Sequence, residues 1–449
     1  MSSRTEEAPG SADGWSDEAA EPAVGPAPAP PLADALRRAA RRVGTPVHVT
    51  DVATLDRAAT AVREAFPDPW IRQYSIKAND VVAVVAEVTD RGFGANCVSR
   101  GEWAVARRAG VPNARITLEG VGKTDADLRA AVRAAAVGDP LRWVAIESTE
   151  EAEGLTDLAR RAGLGRNGRP PLDVLVRLNP DVTPETLPGL AVGAGASKFG
   201  LTETEATGVV EWIGANGGAA VRARGIQLHV GSQLRAVDAW RDAVRRGLAV
   251  VGLLRPGNPE FDTLDVGGGF PVLPTDEPSP TPARFARELP DLLATVPGDR
   301  RPIRLGIEPG RALVARAGWV VARVLHVRDR GGRMVVIDAG MTEVIRPALY
   351  GARHPIVALT SKGRPIDVAE GDPAIEPLTR TRVEGPICES TDALGEHDLP
   401  PLRRDDLVAI ADTGAYAASL TSTYNGRPRA PQVLIGMDGA IRRSGRGRR

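Results

Sequence analysis

Apolar and polar positions between residues 71 and 308 follow one repeating pattern. Short apolar runs, each closing on polar or glycine residues, alternate with stretches rich in Ala, Arg and Leu whose apolar positions recur at helical spacing. The runs cover residues 71–77, 92–97, 115–119, 142–147, 173–178, 223–229, 263–266 and 302–308. The stretches between them include 81–91, 100–109, 125–136, 149–162, 203–215 and 237–254, each long enough for a helix. Eight strand candidates separated by helices predict an α/β fold of the (β/α)8, TIM-barrel type. The rival, a doubly wound open sheet, is set aside for two reasons. The count reaches eight, and no G-x-G-x-x-G turn follows the first run.

Beyond Glu308 the period changes. Residues 319–328 and 333–338 flank Gly331-Gly332 and read as a β-hairpin, and further β-type runs follow at 356–359, 381–384 and 407–411. They predict a second, mostly β domain, which the β-like segment 45–50 joins. Residues 1–31, rich in Pro, Ala and acids, lack the apolar content to fold and read as a disordered arm. The expected division is arm 1–31, segment 32–60 joining the β domain, barrel 61–310, β domain 311–440 and basic tail 441–449.

Composition narrows the function. The 449 residues carry 57 basic and 57 acidic side chains, a formal net charge of zero, which argues against a nucleic-acid partner. No apolar run is long enough to span a bilayer, so no membrane association is expected. No charged-then-apolar leader opens the chain, and the two cysteines, Cys97 and Cys388, cannot make a disulfide framework. A cytoplasmic location is expected. The basic residues are nearly all arginine: the only lysines are Lys77, Lys123, Lys198 and Lys362. A lysine kept against that background is a candidate for amine chemistry that arginine cannot perform.

Barrel enzymes place their active sites at the C-terminal strand ends. The first run ends on Lys77, where partial desolvation makes an amine nucleophilic. The sixth ends on His229, followed by Gly231, Ser232 and Gln233; the seventh on Asp265 and the triplet Gly267, Gly268 and Gly269; the eighth on Glu308, Pro309, Gly310 and Arg311. Singly, each has an ordinary structural explanation. Together they supply an amine, an imidazole, a glycine loop able to wrap an anion and a carboxylate, the set that pyridoxal 5'-phosphate needs. The lysine holds the aldehyde, the glycines hold the phosphate, and the carboxylate keeps the pyridine nitrogen protonated. The imidazole can stack on the ring or donate to the substrate carboxylate. No metal ion is called for.

These motifs, from about residue 44 to 434, resemble the alanine-racemase-like barrel family of PLP decarboxylases, and within it the diaminopimelate decarboxylases. The likeness rests on residues 74–79, 119–124, 197–200, 229–233, 265–270 and 308–311, and in the second domain on 338–341, 345–350, 385–390, 414–416 and 424–428. It implies Lys77 as the PLP lysine and His229 as the ring-stacking imidazole. Gly267 to Gly269, Gly310 and Ser232 would serve the phosphate, and Glu308 the pyridine nitrogen. Arg311, Arg346 and Tyr350 would clamp the substrate's distal carboxylate, with Glu389 on its distal ammonium. Tyr424 would touch cofactor and substrate, and Cys388 would reprotonate the α-carbon. The Cys388 loop is expected to reach the neighbouring subunit's site, which implies a homodimer with shared active sites. The implied reaction is decarboxylation of meso-2,6-diaminopimelate to L-lysine and CO2. The alternatives are a sister decarboxylase acting on ornithine, lysine, arginine or a specialised substrate, and a non-catalytic PLP-binding relative. Retention of both Lys77 and Cys388 argues against the last. The chain departs from the family pattern at residues 181–193, at Ser75-Ile76 and at Asn96-Cys97, departures that bear on the substrate rather than the cofactor.

Overall fold

A computed structural model of the chain describes residues 27–186, 188–193, 197–273, 279–366 and 377–445. The expected arm lies outside the described residues up to position 26. Its last two positions, Pro30 and Pro31, instead open helix α1 (Pro30–Val43), where a missing N–H costs nothing. Strand β1 (Val47–Asp51) follows. Asp51 then caps helix α2 (Val52–Ala65) by accepting the Thr54 N–H at 3.1 Å. The sequence boundary at 60/61 falls inside α2, whose buried residues Leu55, Ala59 and Val62 belong to the barrel core.

All eight apolar runs are strands. β2 (Ile71–Ser75), β3 (Gly94–Cys97), β4 (Ile116–Leu118), β5 (Trp143–Ile146), β6 (Leu172–Leu178), β7 (Val221–Leu228), β8 (Thr263–Asp265) and β9 (Arg304–Ile307) form a closed parallel barrel. The ring closes where Ile71 and Arg72 of β2 pair with Gly306 and Ile307 of β9. The intervening helices are α3 (Val82–Asp90), α4 (Arg100–Arg108), α5 (Asp125–Ala136), α6 (Thr149–Arg161), α7 (Glu203–Asn216) and α8 (Asp238–Leu254). Four of the six starts are written in capping residues: the Ser99 and Ser148 hydroxyls accept from Glu102 and Glu151 N–H, and Thr124/Asp127 and Thr202/Glu205 form capping boxes. Between β8 and β9 two short helices, Pro282–Ala286 and Leu289–Ala294, stand where one long helix would be.

The second domain carries β10 (Gly318–Asp329), β11 (Arg333–Ile337), β12 (Ile356–Ala358), β13 (Thr360–Ser361), β14 (Arg364–Pro365), β15 (Thr379–Glu384), β16 (Ala393–Leu399), β17 (Leu407–Ile410), β18 (Gln432–Ile435) and β19 (Ile441–Gly445). Its main sheet runs β16-β15-β11-β10-β1-β18-β19, with β17 pairing to both β10 and β12. β1 thus lies inside this sheet, antiparallel to β10 and parallel to β18. The expected tail from residue 441 begins as strand β19. Backbone pairing with β18 needs no apolar side chains, and an edge strand tolerates outward arginines.

The β domain docks on the C-terminal mouth of the barrel through residues 414–419. Tyr416 N–H donates to Ala78 O at 2.7 Å, Asn79 Nδ2 to Gly414 O at 2.9 Å, and Ser419 Oγ to Lys77 O at 3.0 Å. Gly414 permits this approach, since a Cβ there would lie 1.7 Å from Val314 O. The turn that carries Lys77 is thereby held from both domains.

Candidate active site

A cavity of about 490 Å³ opens at this mouth. Lys77, His229, Ser232, Glu308, Arg311, Arg346 and Tyr350 all line it, so seven residues singled out from strand ends and from the second domain converge. Lys77 sits in a single 3-10 turn (Ile76–Ala78) directly after β2.

His229 follows β7. Desolvation, reinforced by the nearby cations Lys77 and Arg177, holds its imidazole well below the usual range, so the ring is neutral at pH 7. Its Nδ1 accepts from Gly268 N–H at 3.4 Å, which leaves the proton on Nε2.

Glu308 closes β9, buried. Burial, then the Glu119 and Asp265 carboxyls, then a hydrogen bond with Glu119, push its carboxyl well above the ordinary range, against an opposing pull from Lys77. Gln227 Nε2 donates to Glu308 Oε1 at 3.0 Å. Asp265 is raised by burial and by Glu119, and accepts Gly267 N–H at 2.9 Å. The glycine triplet has a backbone reason beside any ligand reason. Gly267 adopts φ 70°, and a Cβ on it would lie 2.2 Å from Leu228 O, while one on Gly268 would lie 2.3 Å from Glu308 O. Two of the three N–H groups expected to wrap an anion are engaged by the Asp265 and His229 side chains. A Cβ on Gly310 would sit 3.1 Å from that of Ser75.

Arg311 and Arg346 are both buried, at 5% and 7% exposure. Arg311 donates from Nη2 to Ser232 Oγ at 3.1 Å and lies 4.6 Å over the Tyr416 ring. Arg346 opens the short helix Arg346–Tyr350, which puts Tyr350 one turn further on. Neither guanidinium makes an ion pair with a carboxylate among the described residues. Burial lowers both pKa values. That of Arg346 falls to about 10, with the Arg311 charge as the next contribution. Two desolvated like charges side by side make a strong receptor for a carboxylate.

Cys388, Glu389 and Tyr424 are not in the cavity lining. They form a separate exposed cluster, in which Tyr424 Oη donates to Glu389 Oε1 at 2.6 Å and Asn425 Nδ2 lies 3.2 Å from Cys388 Sγ. Asp392 shapes the loop by accepting Ile387 N–H at 2.7 Å and Met341 N–H at 2.5 Å. Cys97 is buried in the barrel core, and burial pushes its thiol well above the ordinary range, which suits a packing role.

The family described as "Pyridoxal-dependent decarboxylase, pyridoxal binding domain" matches residues 52–315. The chain is 33% identical over 395 residues to the diaminopimelate decarboxylase of Aquifex aeolicus (strain VF5), covering 87% of each. It is 36% identical over 408 residues to that of Actinosynnema pretiosum subsp. auranticum, covering 89% of this chain and 85% of the relative. The chain belongs to the diaminopimelate decarboxylase family of pyridoxal-dependent decarboxylases. Among solved structures, the Helicobacter pylori diaminopimelate decarboxylase complexed with L-lysine superposes with a TM-score of 0.79 at 28% identity, covering 91% of this chain and 95% of that one.

Several residues of this decarboxylase's cavity escape sequence reasoning. Arg177, inside β6, pairs with Glu147 after β5 at 2.9 Å, both nearly buried, and lies 4.8 Å over the Phe199 ring. The only sequence signal is one charge of each sign closing two neighbouring apolar runs. Glu119 stands within a motif and Gln227 within an apolar run already noted, but their contacts with Glu308 join residues 189 and 81 positions apart, a separation no local pattern reveals. Tyr416 reaches Arg311 only through the docking of the β domain.

Proposed function

We propose that this chain is a homodimeric, PLP-dependent enzyme of the cytoplasm that decarboxylates meso-2,6-diaminopimelate to L-lysine and CO2. The observation that carries the reading is the convergence of the Lys77 amine, the proton-holding Glu308 and the Arg311–Arg346 pair on one cavity.

The residues present fit pyridoxal phosphate. Lys77 is the amine to bond its aldehyde. The neutral ring of His229 suits one face, and Glu308 carries a proton to share with a ring nitrogen. Buried Gln227 Oε1 and Arg311 Nε have no hydrogen-bond partner among the described residues and can turn to a ligand. Gly267 to Gly269, Gly310, Ser232 and Tyr424 are the groups for its phosphate. When bound, the cofactor supplies an electron sink for the pair released as the α-carboxylate leaves. The chain's own residues then hold the substrate's far end. Arg311, Arg346 and Tyr350 grip the distal carboxylate, and Glu389 takes the distal ammonium. Cys388 gives one proton to the α-carbon, replacing the CO2 that departs.

Cys388, Glu389 and Tyr424 lie outside the cavity of their own chain, an arrangement that supports delivery to a neighbouring copy and hence a dimer. The two unpaired cysteines favour a reducing compartment, and no described helix is long and apolar enough to cross a membrane.

The deciding experiment is CO2 release from meso-diaminopimelate compared with ornithine, lysine and arginine. Diaminopimelate should be turned over far faster, because the other substrates leave the Arg311–Arg346 pair without a carboxylate. Faster release from ornithine or lysine would overturn the substrate assignment.

A further inference from the structure

His354 does not line the cavity, yet it is 1% exposed and touches the site through Arg346. Its Nδ1 lies 3.0 Å from Ala411 O. A carbonyl can only accept, so Nδ1 carries the ring proton. Nε2, 3.1 Å from Arg346 Nη1, is then the lone-pair side and accepts from the guanidinium. The surroundings enforce this neutral tautomer. The ring is desolvated, and Arg346, Arg311 and His397 all oppose a further positive charge, which places its pKa at about 3.

Guanidinium groups in protein interiors are usually oriented by carboxylates, which cancel their charge. Here Asp412, an acid whose charge acts on Arg346, is committed to Arg316 at 2.6 Å. Arg346 is instead oriented by a neutral acceptor. Its rotamer is settled before substrate arrives, so less side-chain entropy is lost on binding, and its charge stays available to an incoming anion.

We propose that His354 is a positioning residue for substrate selection: through Nε2 it aims Arg346 at the substrate's distal carboxylate without neutralising it. The proposal rests on Arg346 holding that carboxylate, as argued above.

Two substitutions separate the two hydrogen bonds of the ring. His354→Asn keeps a donor near the Nδ1 position for Ala411 O but does not reach Arg346. His354→Gln keeps an acceptor near the Nε2 position. With the holoenzyme and meso-diaminopimelate, His354→Asn should raise KM roughly 10- to 100-fold, the factor a hydrogen bond to a charged group contributes, while kcat changes by less than about 3-fold. His354→Gln should return KM to within about 3-fold of the parent. A purely structural role would move kcat and KM together and would not sort the two variants this way. Equal KM values for Asn and Gln, or an unchanged KM in Asn, overturn the proposal. Arg346→Ala in the same assay separates the two levels. If it raises KM and His354→Asn does not, only the role of His354 fails; if it leaves KM unchanged, the carboxylate clamp fails and His354 with it.

Discussion

Asn96 Nδ2 donates to Glu119 Oε2 at 2.9 Å, and through Glu119 the end of β3 is tied to Glu308 at the end of β9. Glu119 Oε1 is buried without an N–H or hydroxyl donor among the described residues, and a hydrogen bond between the Glu119 and Glu308 carboxyls needs a proton on one of them.

The coupling has a pH signature in the protein freed of cofactor. The folded pKa of Glu308 lies above its ordinary value of 4.5, so above that pH the folded chain holds a proton that the unfolded chain has released. Stability is full below about pH 4.5 and declines as pH rises toward the folded value, by up to ~1.4 kcal/mol per pH unit for one proton. Glu119→Gln removes one of the groups that raise Glu308, after burial, and should end this decline at a lower pH. Denaturant midpoints of the apoprotein across the acid-to-alkaline range measure it, and a decline ending at the same pH in the variant would show that Glu119 does not raise Glu308.

Lys77→Ala should eliminate the cofactor bond that borohydride traps, while the protein stays folded, because the Lys77 side chain makes no ion pair among the described residues. Mass spectrometry after reduction reads the outcome. A trapped adduct in the variant moves the attachment to another amine, with Lys198 in the same cavity the first to examine.

Cys388→Ala should still bind cofactor and lose on the order of 10²–10⁴ in turnover, the span of a positioned general acid. Mixing inactive Lys77→Ala with inactive Cys388→Ala tests whether the cluster serves a neighbouring copy. Random reassociation pairs one intact cavity with one intact Cys388 loop in half the dimers and should restore about a quarter of parental activity. No recovery under conditions where the subunits exchange would put Cys388 in service of its own chain.

The Arg177–Glu147 pair, at 9% and 5% side-chain exposure, is embedded rather than superficial. Glu147→Leu strands the Arg177 charge and should cost about 3 kcal/mol or more, as removal of one buried partner does. Urea denaturation of the holoenzyme gives the number; a loss below about 1 kcal/mol would mean that Arg177 reaches water through the cavity.

Much of the architecture could be read along the chain because parallel strands buried on both faces appear as apolar runs, and four of the six long barrel helices carry their caps in sequence. β16 could not be read this way. Its Ala-Leu-Gly-Glu-His-Asp-Leu holds buried His397 and half-buried Asp398, so neither alternation nor an apolar run marks it. Helix α1 was hidden by four arginines, one of which, Arg37, is buried and donates to Leu359 O. β19 carries no pattern at all, since only its pairing with β18 makes it a strand.

The chemistry divides along the same line. Lys77, His229, Glu308 and Arg311 could be found because a barrel rule sends strand ends to one mouth, and because lysine and histidine are scarce in this chain. What only the folded molecule decides is their charge. The Glu308 carboxyl is pushed well above its ordinary range by burial and then by Glu119, the His229 and His354 imidazoles are pushed down by burial and then by nearby cations, and Arg346 keeps its charge unneutralised because its acceptor is an imidazole. Periodicity along a chain reports which side chains turn inward. Protonation and orientation depend on how much water each group loses and on which charges from distant segments take its place, quantities that exist only once the barrel has closed and the β domain has settled on its mouth.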